Sequence, residues 1–343
     1  MLKAYHFSVQ DVRGLPTAFV ASYGTGRPNI ALLAEYDALE GLGHACGHHL
    51  ISGMSLLAAL GIASLVKPLN GTLTVVGCPA EETIGAKAML VRKGVFRNVD
   101  AALMIHPADK TEIIKLSLSL ERLFVVYRGV SSHASANPWN GRNALAGMMA
   151  LFQAIDANRI TLPDGNRING VIKHGGNAAN IIPDTARAEF FIRANDLTAH
   201  AALVKRFLAA VRGSAAAFRL GHTVRRLGNV YYPLVPNTGL ARLFERQLTG
   251  LGVHIDSFLT DKELGSSDIG NVSHVVPVIH PALAVTGPGY PAHSEAFKIE
   301  ANKPEAYARM RTGATALALT VLELYKNKVL LSTIKKEFHE KYD

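Results

Sequence analysis

The chain has 343 residues, of which 48% are hydrophobic and 18% are charged, and its formal net charge is +9. This composition indicates a globular protein large enough for one big domain or two ordinary ones, and its two cysteines are too few for a disulfide framework. Lysines and arginines are scattered, no uninterrupted run of about eighteen apolar residues occurs, and Met1–Gln10 lacks the pattern of a secretory signal. We therefore expect a soluble, cytoplasmic protein with no nucleic-acid partner and no membrane partner.

Short apolar strands alternate with longer helices in the first part of the chain. Apolar segments bounded by Gly or Pro predict buried parallel strands at 29–34, 72–77 and 101–105. Between them, a spacing of about 3.6 residues predicts helices at 49–66 and 82–94. Strands that alternate with helices are typical of an α/β domain with a mainly parallel sheet.

The pattern changes between about residues 120 and 228. We predict a strand, a helix, two strands, a helix and a strand, at 123–127, 144–158, 169–174, 186–193, 199–216 and 222–227. This order is that of a ferredoxin-like α+β domain. We therefore assign residues 1–119 and 229–343 to an α/β domain and residues 120–228 to a domain inserted into it.

The second part of the α/β domain contains a predicted strand at 282–286 and predicted helices at 238–251 and 304–325. The last of these helices begins with Pro304, a residue favoured at the first helical position. The charged tail at 326–343 is expected to fray.

Four loops carry side chains of the types that commonly bind metal ions. They lie at 43–49, 79–82, 105–107 and 291–294, and three of them come shortly after a predicted strand. Because catalytic groups in open α/β sheets gather outside the carboxyl ends of the strands, we expect the four loops to share one crevice. Their thiol, imidazole and carboxylate groups are the ligands that zinc, manganese and cobalt use.

Five side chains in these loops are the predicted metal ligands, namely Cys46, His48, Glu82, His106 and His293. Five ligands exceed the need of a single tetrahedral ion with an open position. We therefore predict two divalent ions, Zn or Mn with Co as a further choice, about 3.5–4 Å apart. Glu81 precedes a ligand and points in a different direction, so we predict that it is the general base and acid.

Other interpretations stay open from these residues. Taken singly, each loop is explained by a buried cysteine, a structural histidine or a Glu pair at a helix start. Together, they also allow a cysteine hydrolase with Cys46 as nucleophile and His48 or His106 as base, but this leaves the Glu pair without a role. A non-catalytic binding subunit of the same fold is the third interpretation, and its expected mark is a missing ligand or base.

Several longer motifs resemble the M20 family of metallopeptidases, in particular its branch of aminobenzoyl-glutamate hydrolase subunits and M20-domain dipeptidases. They are EYDAL at 35–39, HACGH at 44–48, PAEE at 79–82, SSHA at 131–134, HGG at 174–176, NIIPD at 180–184 and GSSD at 265–268. The resemblance implies hydrolysis of an amide bond in a small substrate with a free carboxylate. An N-acyl amino acid, an aminobenzoyl-glutamate-like conjugate or a dipeptide would qualify.

The resemblance also implies roles for further residues. The inserted domain would be a lid through which the protein forms a homodimer, and His133 would support the tetrahedral intermediate, often from the partner subunit. Asn180 and Arg193 match substrate-binding positions, the arginine through the substrate carboxylate. Asp37 would orient a metal ligand, although an aspartate that only caps a loop looks the same in the sequence.

The chain departs from the family pattern in three places. It lacks the N-terminal helical segment common in relatives, His49 stands where Asp or Asn is usual, and Thr83-Ile84-Gly85 replaces a glycine-rich run. None of these departures removes a predicted ligand. We therefore expect the activity to be retained and leave the identity of the substrate open.

Overall fold

The structure is a computed structural model that describes residues 1–262 and 264–341. The chain forms two compact units, which we call unit 1 (Met1–Ser117 with Leu234–Asp343) and unit 2 (Leu118–Pro233). The sequence predicts the inserted domain at 120–228, which differs from unit 2 by a few residues at each boundary.

The first part of unit 1 alternates strands with helices. After a 3-10 helix at Leu2–Tyr5, its elements are β1 (Ser8–Asp11), β2 (Phe19–Gly24), β3 (Asn29–Glu35), α1 (His48–Val66), β4 (Thr72–Cys78), α2 (Ala86–Arg92), β5 (Ala101–Leu103), β6 (His106–Ala108) and β7 (Glu112–Lys115).

Unit 2 follows with β8 (Glu121–Arg128), α3 (Ala144–Asn158), β9 (Arg167–His174), β10 (Thr185–Arg193), α4 (Leu197–Ala217) and β11 (Gly221–Arg226). The second part of unit 1 contains α5 (Thr238–Gly250), β12 (Ser257–Thr260), α6 (Ile269–Ser273), β13 (Val278–Ile279), β14 (Ala282–Ala284), α7 (Glu295–Glu300), α8 (Pro304–Lys326) and α9 (Lys328–Glu340).

The larger sheet of unit 1 has the strand order β1-β2-β4-β3-β5-β13. Strands β4, β3, β5 and β13 run parallel to one another, and β1 and β2 pair antiparallel at one edge. All residues of β3 and β4 except the first are buried, as expected for parallel strands with both faces covered. The prediction of an α/β domain with a mainly parallel sheet is confirmed.

Unit 1 also has a smaller sheet, with the order β12-β7-β14-β6. It contains β14, which occupies the strand predicted at 282–286, whereas the larger sheet ends in the two-residue strand β13. Apolar composition identified this segment as buried but gave no information on which sheet it joins. The two strands are separated by His280 and Pro281, and Pro281 has no N–H group to continue a ladder.

Helix α2 begins four residues later than predicted, at Ala86 rather than at residue 82. Ala80 has a positive φ of 56°, and its carbonyl accepts hydrogen bonds from the N–H groups of Ile84 and Gly85. Residues 80–85 therefore form a closed turn, which we call the acidic turn because it carries Glu81 and Glu82.

Helix α1 lies in the core of unit 1. By length and hydropathy alone it is long and apolar enough to cross a membrane. It packs against β3 and α8, and Leu50, Met54 and Ile62 are buried in the main hydrophobic cluster. Because the central helix of a globular protein has the same composition, we interpret α1 as a core helix.

Unit 2 has one antiparallel sheet, with the order β11-β8-β10-β9. This order and the β-α-β-β-α-β sequence of elements confirm the predicted ferredoxin-like arrangement. Alternate residues of β8 and β10, such as Val125, Tyr127, Phe190 and Ile192, are buried in a cluster with residues of α3 and α4.

The end of the chain differs from its prediction. Instead of fraying, residues 328–340 form α9, in which Leu331, Ile334 and Phe338 are buried. Residues 342 and 343 of the predicted tail lie outside the described residues. The three apolar residues recur at helical spacing, a signal that the charged residues between them obscured.

Asp100 connects α9 to the larger sheet. Its carboxylate accepts hydrogen bonds from the Lys335 Nζ at 2.7 Å, the Asn29 N–H at 2.8 Å and the Arg27 Nη1 at 2.9 Å. Burial alone would raise the pKa of Asp100, but these donors outweigh it and hold the pKa below its usual value.

We predict that Asp100→Asn lowers the free energy of unfolding at pH 7 by about 1–3 kcal/mol, the usual worth of hydrogen bonds to a charged group. Because the folded-state pKa is lowered, this stabilisation is present above the ordinary pKa of about 4 and is lost as the pH falls through the folded-state value. Urea unfolding from pH 7 to pH 3 should show the two proteins converging. Asp156→Asn, in an exposed ion pair, is the control with little expected effect, and a difference that is independent of pH would contradict the assignment.

Candidate metal centre

The predicted catalytic residues lie at one edge of the larger sheet. Asp37 follows β3, the acidic turn follows β4, and His106 follows β5 as the first residue of β6. His48 is the first residue of α1. Since β3, β4 and β5 are adjacent and parallel, their carboxyl ends meet at this edge, where ligands bind in open α/β sheets.

The structure brings all five predicted ligands together. Three groups have donor atoms that lie within 4.8 Å of one another, namely Cys46–His48–His106, Cys46–Glu82–His293 and His48–Glu81–Glu82. Cys46 Sγ lies 3.5 Å from His106 Nε2 and 3.3 Å from His293 Nε2. Glu82 Oε1 lies 3.3 Å from His293 Nε2 and 3.7 Å from His48 Nε2. Donors that bind one zinc ion at about 2.0–2.3 Å lie roughly 3.3–3.8 Å apart, so these separations fit metal ligation.

Hydrogen bonding leaves the donor atoms of this cluster available. His48 Nε2 and Glu82 Oε1 are buried and form no well-aligned hydrogen bond, although His48 Nε2 lies 3.3 Å from Glu35 Oε2 and Glu82 Oε1 lies 3.3 Å from His293 Nε2. A cation bound between these groups would satisfy both atoms. His106 donates its Nδ1–H to the Pro107 carbonyl at 2.8 Å, so its Nε2 keeps a lone pair toward Cys46. The residues present therefore fit metal ions.

Asp37 orients two of the predicted ligands. One carboxylate oxygen accepts the His48 Nδ1–H at 3.0 Å, and the other accepts the Glu82 N–H at 3.0 Å. Burial alone would raise the pKa of Asp37, but these hydrogen bonds lower it. A carboxylate behind an imidazole ligand fixes the tautomer that presents Nε2 to a metal.

The carboxylates around Cys46 disfavour a free thiolate nucleophile and favour a cation beside the thiol. Burial, together with Glu82 and Glu81, raises the pKa of the Cys46 thiol well above its ordinary value. A nucleophilic cysteine needs the opposite shift, from a cationic neighbour. Burial, together with His48, lowers the pKa of His106 to about 4, which keeps it in the neutral form that binds metals.

Glu81 has the environment of a general base and acid. It is 8% exposed and lies on the acidic turn beside Glu82. Burial and the neighbouring carboxylates of Glu35 and Asp268 raise its pKa well above the ordinary value, while Lys87 acts in the opposite direction. A carboxyl group with a raised pKa is suited to exchanging a proton near neutral pH.

Sequence reasoning missed an ionic cluster behind the ligands. The Lys87 ammonium pairs with the carboxylates of Glu35 and Asp268, and all three side chains are buried. Glu35 Oε2 also lies 3.3 Å from His48 Nε2. The available signal was Glu35 itself, a charge at the end of a strand that is otherwise apolar.

His49 points away from the ligand cluster, toward α7 and α8. Its Nε2 lies 3.3 Å from the Ala301 carbonyl, and its ring packs against His44 and Tyr307. The departure at this position therefore leaves the ligand set unchanged.

In unit 2, the structure brings His133 and Asn180 together. His133 and Ile181 form an isolated antiparallel β-bridge, and the Asn180 carbonyl accepts a hydrogen bond from the Ala134 N–H at 2.9 Å. His133 Nδ1 accepts the Ala136 N–H at 3.1 Å. Its remaining proton is therefore on Nε2, and the exposed ring can donate a hydrogen bond.

Arg193 lies at the other end of unit 2. It is the last residue of β10, and its guanidinium packs over the Phe191 ring at 5.4 Å. The chain enters β10 at Thr185, shortly after Asn180. Eight residue steps along a strand span about 25 Å, so His133 and Asn180 are far from Arg193 within one copy of unit 2.

Comparison with known proteins identifies similar sequences. A profile of the peptidase dimerisation domain matches residues 122–218. The mouse Xaa-Arg dipeptidase is 33% identical over 98% of this chain and 80% of its own length. One subunit of the p-aminobenzoyl-glutamate hydrolase from Escherichia coli K12 is 32% identical over 57% of this chain and 46% of its own length.

Solved structures share the fold. An aminobenzoyl-glutamate utilization protein from Klebsiella pneumoniae superimposes with a TM-score of 0.70 at 19% identity, over 94% of this chain and 88% of its own. A dinuclear metal-binding peptidase of the M20 family from Bacillus subtilis has a TM-score of 0.65 at 19% identity, over 94% of this chain and 90% of its own. At these identities the likeness establishes the fold alone.

Asp37→Asn should weaken metal binding by about 10- to 100-fold, as is typical when the carboxylate behind a ligand histidine is lost. Competition with a chromophoric chelator measures this affinity. His49→Asn, which alters a neighbouring histidine outside the cluster, should keep the wild-type affinity. Equal affinities for Asp37→Asn and the wild type would show that Asp37 does not orient a ligand.

Proposed function

The chain belongs to the M20 peptidase family and is an amidohydrolase, and we propose that it is a dipeptidase whose active centre holds two divalent metal ions. The observation that carries the proposal is the convergence of Cys46, His48, Glu82, His106 and His293 at the carboxyl ends of β3, β4 and β5. The positions for five ligands and a base are all filled, which argues against a non-catalytic subunit.

The donor set supports zinc as the first choice of metal. One thiol, three imidazoles and one carboxylate are ligands that zinc accepts, and manganese and cobalt accept most of them. Cys46 belongs to two groups of donors, one with His106 and one with His293, which supports two ions rather than one. When bound, such ions polarise a carbonyl group and acidify a water molecule.

The side chains of the protein carry out the proton transfers. Glu81 takes a proton from the attacking water and delivers it to the leaving nitrogen, which departs as an amine. Its carboxylate lies within 4.8 Å of donor atoms of His48 and Glu82, and we assign it to the attacking water rather than to an ion. Two further residues bind rather than transfer protons. His133 donates a hydrogen bond from its Nε2–H to the oxygen of the tetrahedral intermediate, and Arg193 binds the substrate carboxylate.

We propose dipeptides as the substrates, with a C-terminal Arg as the first candidate. The supporting observation is that similarity to a protein named Xaa-Arg dipeptidase extends over 98% of this chain, whereas similarity to the aminobenzoyl-glutamate hydrolase subunit covers 57%. Aminobenzoyl-glutamate and N-acyl amino acids are the alternative substrates.

A hydrolysis panel tests this choice. Dipeptides ending in Arg, Lys or Glu, aminobenzoyl-glutamate and N-acetyl amino acids are each compared with the matching carboxamide, and released amine is measured. We expect the highest kcat/KM for a dipeptide with a free carboxylate, and a loss of about 10- to 100-fold for its carboxamide, because a charge-assisted contact is removed. Hydrolysis of aminobenzoyl-glutamate alone would overturn the dipeptidase proposal.

We further propose that the protein acts as a homodimer through unit 2. His133 and Asn180 lie about 25 Å from Arg193 along β10, so one copy of unit 2 cannot bring all three residues to one small substrate. A symmetric dimer resolves this difficulty, because each site receives one end of unit 2 from each copy. The match to a peptidase dimerisation domain over residues 122–218 supports the same assembly.

The different roles assigned to Glu81 and Glu82 are directly testable. Glu81→Gln should retain both metal ions and bind substrate normally, but lose at least about a thousandfold in kcat because proton transfer is removed. Glu82→Gln should instead lose bound metal. Metal content and kcat are measured for both variants, and metal loss confined to Glu81→Gln would reverse the two assignments.

The shared site predicts complementation between two inactive variants. His133→Ala and Glu81→Gln should each be nearly inactive alone, whereas a mixture after subunit exchange should regain about a quarter of wild-type activity, since half of the dimers then contain one intact site. Native mass spectrometry verifies the exchange. Proven hybrid dimers without regained activity would place His133 in the site of its own subunit.

A further inference from the structure

The buried ionic cluster of Glu35, Lys87 and Asp268 lies outside the ligand set, and we call it the Lys87 triad. We propose that Lys87 and Asp268 are positioning residues that hold the acidic turn, and with it Glu81 and Glu82, in the geometry needed for turnover. This inference rests on the proposed function for its effect on catalysis, but not for its effect on the turn.

Lys87 connects three separate segments of unit 1. Its ammonium contacts the carboxylate of Glu35, the last residue of β3, and that of Asp268, which directly precedes α6. Its backbone N–H also donates to Asp268 Oδ2, at 2.8 Å. Asp268 therefore holds both the backbone and the side chain of Lys87, which fixes the start of α2 in two ways.

This attachment determines where the acidic turn ends. The turn begins at Ala80, directly after Pro79 and the end of β4, and Gly85 ends it at a φ of 68°. Lys87 is the second residue of the helix that follows. Asp37 holds the Glu82 N–H from the opposite side. The turn is therefore held within by Asp37 at Glu82 and just beyond its carboxyl end by the Lys87 triad.

The burial of the triad makes this anchor rigid. Lys87, Glu35 and Asp268 are 0%, 1% and 0% exposed. In the described part of the chain, no other lysine or arginine forms an ion pair with Glu35 or Asp268. Removing Lys87 alone would leave Asp268 buried without a cation and Glu35 with only His48 beside it, which destabilises a protein irrespective of catalysis. A test must therefore change the triad while limiting the charge imbalance.

Asp268→Asn meets this requirement. It leaves Glu35 and Lys87 as a pair of opposite charges, and the asparagine Oδ1 can still accept the Lys87 N–H. The double variant Lys87→Gln with Asp268→Asn serves if the single variant does not fold, because it removes one charge of each sign. Asp100→Asn is the matched control, since Asp100 also accepts a backbone N–H and a lysine ammonium in unit 1, away from the acidic turn.

Hydrogen exchange followed by mass spectrometry, on the segment 79–87 in the intact protein, measures the attachment of the turn. We expect faster exchange in the triad variant than in the wild type, with no change in Asp100→Asn. Steady-state kinetics are measured on a dipeptide that the wild type hydrolyses. In the triad variant we expect kcat to fall by about 10- to 100-fold with little change in KM, because a displaced catalytic group slows the reaction without weakening substrate binding.

Each outcome decides a separate point. Unchanged exchange in segment 79–87 overturns the claim that the triad holds the turn. Faster exchange with wild-type kcat overturns its role in positioning Glu81. A wild-type protein that hydrolyses no member of the panel overturns the proposed function, while the exchange experiment still decides whether the triad anchors the turn.

Discussion

The convergence of five metal-binding side chains at one edge of the larger sheet is the constraint on which the proposed site in unit 1 depends. Cys46, His48, Glu82, His106 and His293 bring together a thiol, three imidazoles and a carboxylate, in groups whose donor atoms lie within 4.8 Å of one another, and His48 among them is buried. Buried groups of this kind are costly when they lack partners. Metal binding and the local fold are therefore expected to stabilise each other, because the ligands come from four loops that are distant in the sequence.

Much of this arrangement was predictable because strand ends and metal ligands leave local signals. The apolar strands β3, β4 and β5 predicted a parallel sheet, and the loops after β4 and β5 contain Glu82 and His106, whose role as ligands stays a prediction. The order of elements in unit 2 likewise predicted its ferredoxin-like topology. The predictions of the fold succeeded because hydrophobic periodicity is a property of short segments.

The features that were missed depend on contacts between distant segments. The role of Lys87 requires Glu35 and Asp268, which lie far from it in the sequence, and nothing in its own neighbourhood distinguishes it from a surface lysine. The start of α2 was misplaced because Ala80 adopts a left-handed conformation that sequence patterns do not favour for alanine. The separation of His133 from Arg193 followed only from the β-bridge that pairs His133 with Ile181, which lies shortly before β10, whereas Arg193 ends that strand.

The central claim is that this chain needs two metal ions per subunit to hydrolyse its substrate. The most direct measurement strips the protein with a chelator, adds zinc or manganese in steps, and records bound metal and dipeptide hydrolysis on the same samples. The account predicts no activity in the stripped protein and a plateau at two ions per chain. Activity that survives complete removal of metal, and is abolished by alkylation of Cys46, would contradict it and favour a cysteine hydrolase.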